Sequence, residues 1–342
     1  MACYFFANIR VDDPSEYQKY LEGVEGLAAR FGGRYLAVDT APEVLEGEWP
    51  YSRAVIIQFD NEDALRRWYA SSEYRSIVGH RLAAGRSDSL LIHGEERDMD
   101  DRIASGREFL KSNWNRLEEA EPDQAKGIPP PPQEDGAPEG LQPIALPPIG
   151  EISLAATTLR DLIENRKSRR KYLEEALSLV ELSYLLWAAQ GIRERKSKYS
   201  FRTVPSGGAR HPLDLYVYAS HVSGLEEGLY RYLPLEHALC PVRLGSNSAG
   251  LDDALLGQLW NAAACFLWVA VPYRSEWRYS VVAHKLVALD AGHSCQNLYL
   301  ACESLGLGTC AVGAYDQVKT DAYLGLDGKD RFTIYAAPIG RV

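Results

Sequence analysis

Arg166, Lys167, Arg169, Arg170 and Lys171 crowd around one serine, Ser168, in the stretch NRKSRRKY at 165–172. Such a set could hold a phosphate monoester, which carries roughly two negative charges near neutral pH and accepts several charge-assisted hydrogen bonds. Arginine offers a planar fork of donors and serine a hydroxyl, so the residue types suit that anion. The run reads equally as a solvated basic surface. A second candidate is RTVPSGGARHPLDLYVY at 202–218, which starts as a glycine loop and becomes an alternating strand. Ser206, Gly207 and Gly208 provide backbone N–H groups and close approach to a flat ring, because glycine has no Cβ. Arg210 and His211 follow directly, which suggests a phosphate cradle, although a tight turn explains the loop as well.

Two further features carry weight beside these. His293, Gln296 and Asn297 fall at i, i+3 and i+4 in an otherwise apolar helical stretch, so they share one polar face. Buried, that face needs partners, whether ligand, water or another subunit. The chain ends IGRV, which leaves Arg341 at the terminus of an apolar strand. GLGTCA at 306–311 imitates a dinucleotide-binding fingerprint, but here the glycines end a helix and precede a strand. That reverses the geometry the fingerprint requires. Near the N-terminus, His80, Arg81, Glu46 and Trp49 either line a small pocket or cap and pack helix ends.

The elements that must position these residues fall into two groups, as 342 residues exceed one typical domain of roughly 100–200. Residues 1–94 alternate as β, α, β, β, α, β, the order of a ferredoxin-like sandwich. The segment 61–85 reads as one helix. Residues 95–150 form a charged connector, EERDMDDRIA, then a short helix and a proline-rich arm with PPPP at 129–132. Ile144, Leu146 and Ile149 suggest that the arm lies on the following domain. From 151 to 342, helices alternate with strands. LSLVELSYLLWAAQG is a helix stopped by Gly191, LLGQLWNAAACFLWVAV a helix entering a buried strand, and TCAVGAY and FTIYAAPIG are strands. The polar-faced helix begins near Asp290.

Composition sets outer limits. With 37 basic and 47 acidic residues the net charge is −10, which disfavours broad contact with nucleic acid or an anionic membrane. Six cysteines show no zinc-ligand spacing, so no metal site is expected. No secretory signal and no spanning segment is visible, and a reduced cytoplasmic protein is the expectation.

Taken together, R-K-S-x-R-x-Y at 166–172, VPSGGARHP, LDAGHSCQNLYLACESLGLGTCAVGAYD and the terminal IGR resemble the nitroreductase superfamily, and within it the SagB-type dehydrogenases. That branch includes azoline oxidases of peptide-modifying pathways. The resemblance runs from about Gly106 to Val342. EVLEGEWPYSRAVIIQFDNEDALRRWYASSEYRSIVGHR resembles a family of small uncharacterised domains with the dimeric α+β barrel fold.

The resemblance implies an α+β fold with a central antiparallel sheet and surrounding helices, a homodimer, and FMN at the subunit interface. By position, Arg166, Lys167, Ser168 and Arg170 would grip the FMN phosphate, with Arg341 joining from the chain end. Ser206, Gly207 and Gly208 would follow the ribityl chain and pyrimidine edge, with Gln296 on the polar helix face. Gly313 and Ala314 would lie against the ring near N5, and Arg210 would stabilise a reduced anionic flavin. Gly208 and Ala209 stand where the wider family usually has an asparagine. Azoline-oxidising members carry a Lys-Tyr pair ahead of the LDAGH helix, and here Arg278 and Tyr279 take those places. Arginine is a poor general base, whereas Tyr279 would serve if Arg278 or Lys285 lowered its pKa. Tyr279 packing an interface while Arg278 holds a carboxylate is the other reading. The expected function is FMN-dependent dehydrogenation of a small heterocyclic or peptide-derived substrate. The alternatives are NAD(P)H-driven reduction of nitro or quinone compounds, and a non-catalytic flavin-domain scaffold.

Overall fold

The computed structural model describes residues 2–24, 26–94, 99–154, 156–197 and 199–342. The chain divides into two compact units, Met1–Glu108 and Phe109–Val342. The first contains β1 (Cys3–Val11), α1 (Pro14–Val24), β2 (Arg34–Asp39), β3 (Arg53–Phe59), α2 (Glu62–Ala70), α3 (Ser72–Ala83) and β4 (Gly85–His93). Its antiparallel sheet runs β2-β3-β1-β4. Alternation along β1 buries Cys3, Phe5, Ala7 and Ile9 with Trp68, Phe59 and Tyr74 in one core. The single helix expected over 61–85 is two, because the Ser71 hydroxyl accepts from the Tyr74 N–H and caps a new start.

The charged connector expected at 95–104 begins in 95–98, which lie outside the described residues. α4 (Met99–Leu110) and α5 (Arg116–Ala120) follow where one short helix was expected. The proline-rich stretch then ends in β5 (Ile144–Ala145), which pairs with the seven-stranded sheet of the second unit.

The second unit continues with α6 (Leu159–Asn165), β6 (Leu177–Ser178), α7 (Leu179–Gln190), β7 (Ile192–Arg195), β8 (Ser200–Arg202), β9 (Leu213–Ala219), β10 (Val222–Ser223), β11 (Gly228–Leu233) and β12 (Ala238–Leu244). It closes with α8 (Ser248–Ala254), β13 (Ala264–Ala270), α9 (Tyr273–Tyr279), α10 (Ala283–Ser304), β14 (Leu307–Thr309), α11 (Gln317–Leu324) and β15 (Phe332–Arg341). The main sheet is antiparallel in the order β14-β15-β13-β9-β11-β12-β5. Period-2 alternation sends Leu213, Leu215, Phe266 and Trp268 toward α7 and α10. Tyr216, Tyr218, Leu267 and Val269 face α8 and α11 instead. Both sheet faces are therefore covered, and the central strands β9 and β13 are buried throughout.

Three expectations need correction. LLGQLWNAA is not a helix. After Ala254 the chain turns through Leu256, Gly257, Trp260 and Asn261 at φ of 56°, 76°, 52° and 57°. TCAVGAY pairs only through β14 and a bridge between Val312 and Ala336. The polar-faced helix begins at Ala283, seven residues before Asp290. Apolar runs leave helix and strand periods hard to separate, and left-handed turns at non-glycine residues have no reliable sequence signal.

Candidate functional site

α10 organises the candidate residues of the second unit, with a basic cluster near its C-terminal half and the glycine loop near its N-terminal half. At the basic end, residues 168–173 run beside β14 and the end of β15. Ser168 bridges Thr309, and Leu173 N–H donates to the Arg341 carbonyl. The Ser168 hydroxyl lies 2.9 Å from the Tyr299 hydroxyl, which accepts from the Ala311 N–H at 2.7 Å. Arg166 caps α6 and places its guanidinium 5.3 Å above the Tyr299 ring. Burial raises the Tyr299 pKa, so it stands there as a neutral phenol.

The five cations of this cluster have different fates. Arg169 forms a two-pronged ion pair with Glu303 on α10, at 2.5 and 3.0 Å. Arg170 turns to the Trp260 ring, 5.8 Å away, and with Lys171 borders a separate cavity of about 550 Å³. Arg166 and Lys167 pair with no carboxylate among the described residues. Arg341 is engaged elsewhere, 2.9 Å from Glu181, the carboxylate that also closes the capping box of α7. The donor set around Ser168 thus suits a phosphate, while Arg170 and Arg341 are committed to other partners in this arrangement.

The glycine loop is strained and tightly packed. Gly208, Ala209 and His211 all have positive φ, at 58°, 51° and 50°. A Cβ on Gly208 would overlap the Tyr279 hydroxyl and lie 3.2 Å from the Arg278 guanidinium. The fold therefore brings the Arg278–Tyr279 pair onto the loop, although 70 residues separate them in sequence. Gly207 backs onto Leu286 of α10. Asp290, buried on the same helix, accepts from the Ser206 side chain and the Gly207 backbone, and burial raises its pKa. Its Oδ2 has no partner among the described residues. The Ser206 hydroxyl accepts in turn from the His211 N–H at 2.9 Å.

His211 is buried and its pKa is lowered to about 3 by burial and by the charge of Arg202. Neutral at pH 7, it places Nε2 3.2 Å from the Ser200 carbonyl and anchors the loop. Arg210 donates to the carbonyls of Arg274 (2.7 Å) and Pro131 (3.2 Å) and covers the Trp277 ring at 4.8 Å. The proline-rich arm grips the loop from outside. Gln133 donates to the Ala209 carbonyl and accepts from the Ser200 N–H, while Arg202 donates to the Gln133 carbonyl at 3.0 Å. Between loop, arm and β8 opens a cavity of about 850 Å³ bordered by Ser206, Gly208, Phe201, Tyr199, Trp277 and Arg278.

Other predicted residues stand apart. Gln296 and His293 lie on the exposed face of α10, whereas Asn297 turns inward to the Ala188 carbonyl at 3.1 Å. Lys285 donates to the Leu110 carbonyl. Gly313 and Ala314 are exposed beyond the Val312 bridge, near Tyr335, and the Ala314 carbonyl accepts from Gln258 at 2.7 Å. Sequence reasoning passed over Tyr299, Asp290, Gln133 and Glu181. Tyr299 had a usable signal, lying three residues after Gln296 on one helix. All six cysteines are buried and unpaired. Among the described residues there is no metal-ligand cluster, and no helix is long and apolar enough to cross a membrane.

A covered antiparallel sheet, a basic cluster around Ser168 in which Arg166 and Lys167 meet no carboxylate among the described residues, and a strained glycine loop against one long helix define an α+β domain of the nitroreductase-like class. Residues 163–341 match the Nitroreductase family, and residues 2–95 match a domain of unknown function (DUF1330). A Methanocaldococcus jannaschii protein, MJ1384, a nitroreductase by name, is 37% identical over 202 residues, covering 58% of this chain and 96% of that protein. The trifolitoxin-processing protein TfxB of Rhizobium leguminosarum bv. trifolii is 29% identical over 133 residues, 37% of this chain and 36% of TfxB. The match thus spans about a third of TfxB. The crystal structure of a Ralstonia eutropha protein, also a nitroreductase by name, shares 27% identity at a TM-score of 0.50, covering 63% of this chain and 98% of that one. The chain belongs to the nitroreductase family, whose members typically bind flavin.

Proposed function

We propose that the protein is an FMN-dependent dehydrogenase of the SagB type, acting on a small heterocyclic or peptide-derived substrate. The observation that carries this reading is the placing of Arg166 and Ser168 on Tyr299, with Lys167 between them in sequence and neither cation paired to a carboxylate among the described residues. In this reading those residues hold the FMN phosphate. Ser206–Gly208 hold the ring edge, with Gly313, Ala314 and Gln296 completing the pocket. FMN, when bound, supplies the hydride chemistry. The chain's own residues orient and move protons: Asp290 fixes Ser206 and Gly207, and the Tyr279 hydroxyl, against Gly208, is the group placed to exchange a proton with substrate. The exposed face of α10, with Leu289, His293 and Gln296, suits a second copy of the chain, so each pocket is completed by a homodimer. Likeness to a toxin-processing protein supports the peptide-derived substrate.

A second reading, NAD(P)H-driven reduction of nitro or quinone compounds, draws on the likeness to MJ1384. Absorption spectroscopy of the purified protein tests the cofactor. Oxidised-flavin bands are expected, with FMN released on denaturation and flavin content reduced at least about tenfold in Arg166→Ala/Ser168→Ala, the loss expected when several charge-assisted phosphate contacts are removed. Wild-type protein that takes up no FMN on reconstitution refutes the proposal. Anaerobic NADPH consumption with a quinone favours the reductase, and oxygen-dependent turnover without nicotinamide favours the dehydrogenase.

A further inference from the structure

The N-terminal unit holds a buried charge that the Tyr20 hydroxyl and three rings answer only in part. Arg81 on α3 is 2% exposed, and its Nε and Nη1 meet no acceptor. A guanidinium stays protonated even when buried, and leaving it unpaired costs several kcal/mol. The rings of Phe5, Tyr20 and Tyr74 lie 5.6, 5.5 and 6.0 Å from it and offset part of that cost. No carboxylate among the described residues pairs with it. The neighbouring His80, by contrast, is paired with Glu16 at 2.5 Å, and Glu46 is exposed.

The surroundings are rich in donors. Arg53 lies 5.3 Å over the Tyr17 ring with its Nε unpartnered, Trp68 Nε1 is also buried without a partner, and the Tyr74 hydroxyl meets only the Tyr20 hydroxyl, which accepts from Arg81 as well. Burial raises the pKa values of Tyr17, Tyr20 and Tyr74, so all three keep their phenolic protons. Ser87 and Ser89 stand opposite Ile9 and Ala7 in the register, on the face of β4 turned toward the helices, and their hydroxyls are orphaned as well. A buried region with two guanidinium groups and no acid calls for a ligand that is negative and accepts hydrogen bonds. Phe5 also borders a neighbouring cavity of about 420 Å³, whose wall of Leu65, Tyr69 and Leu91 is interrupted by Ser89 and by Arg66, which is paired with Glu62. That wall suits an apolar body.

We propose that the N-terminal unit binds a small organic carboxylate, its carboxyl group held by Arg81 and its apolar body in the cavity beside Phe5. The site is independent of the flavin reading.

Isothermal calorimetry on the full-length protein tests this with benzoate, benzamide and inorganic phosphate as probes. Benzoate is expected to bind with Kd below about 1 mM, and benzamide at least about tenfold more weakly. The benzoate heat assigned to this unit should vanish in Arg81→Met. Ser89→Leu fills the cavity but keeps the charge, and it should weaken benzoate at least about tenfold as a check independent of Arg81. Equal affinity for benzoate and benzamide, or benzoate heats unchanged in both variants, would overturn the proposal. Binding of phosphate without benzoate would overturn the assignment to a carboxylate with an apolar body.

Discussion

Buried arginines are treated in opposite ways by the two units. In the C-terminal unit Arg274 is 2% exposed and donates to Asp214 at 2.6 Å and to Asp135 of the arm at 3.3 Å. Arg331 joins both carboxylates from β15's approach. Arg202 donates to Gln190 Oε1 and to the carbonyls of Leu213 and Gln133. Arg81 of the N-terminal unit is equally buried, yet two of its nitrogens donate to nothing. A charge answered by its own chain is scaffold, here fastening the arm and loop to the sheet. One left open among donors is better understood as a binding element waiting for its counter-charge.

The sharpest way to break this comparison is to remove each arginine in turn. Arg274→Met leaves Asp214, whose side chain is 5% exposed, with only its longer 3.4 Å contact to Arg331, and should cost the C-terminal unit up to about 3–5 kcal/mol in urea unfolding. Arg81→Met without ligand removes a buried charge that has no carboxylate partner, and should leave the N-terminal unit at least as stable as before. Equal losses in both would show that Arg81 is scaffold as well.

A smaller effect is expected at the glycine loop. Gly208→Ala meets both a φ of 58° and the Tyr279 hydroxyl, and should cost about 1–3 kcal/mol while lowering flavin retention. An alanine variant with wild-type stability and flavin content would remove the loop from the site.

A further effect is a pH dependence. His211 has its folded pKa near 3, below the ordinary 6.5, so the unfolded chain takes up a proton that the native one refuses. Its contribution to stability is complete above pH 6.5 and is lost as pH falls from there toward 3. His211→Asn, which tolerates positive φ, should flatten the urea midpoint against pH between about 6.5 and 4. An unchanged slope would mean that His211 is not the titrating group.

Much of the architecture was legible because its signals are local. Alternation in LDLYVYA and the unbroken apolar run ACFLWVA marked the central strands, Gly191 marked the end of α7, and the helix-then-strand order around Gly306 ruled out a dinucleotide loop. The cation cluster and the glycine loop were also visible as residue types. Which cations stay free was not visible, because Glu303, Trp260 and Glu181 lie 134, 90 and 160 residues away from the arginines they engage. Nor was the role of the arm, since the Gln133 amide meets the loop across 76 residues.

Residue order alone determined the chemistry on offer: a basic run around Ser168, a loop able to take positive φ, an apolar period of two in the sheet, and a net charge of −10. Those properties belong to side-chain type and neighbour spacing, which a chain carries whether or not it is folded. Tertiary structure decided which charges are already answered and which remain open. Arg169 and Arg274 meet carboxylates, while Arg166 and Arg81 do not. The physical reason is that burial makes a charge's partner decisive, and only the fold determines which distant groups share a buried space.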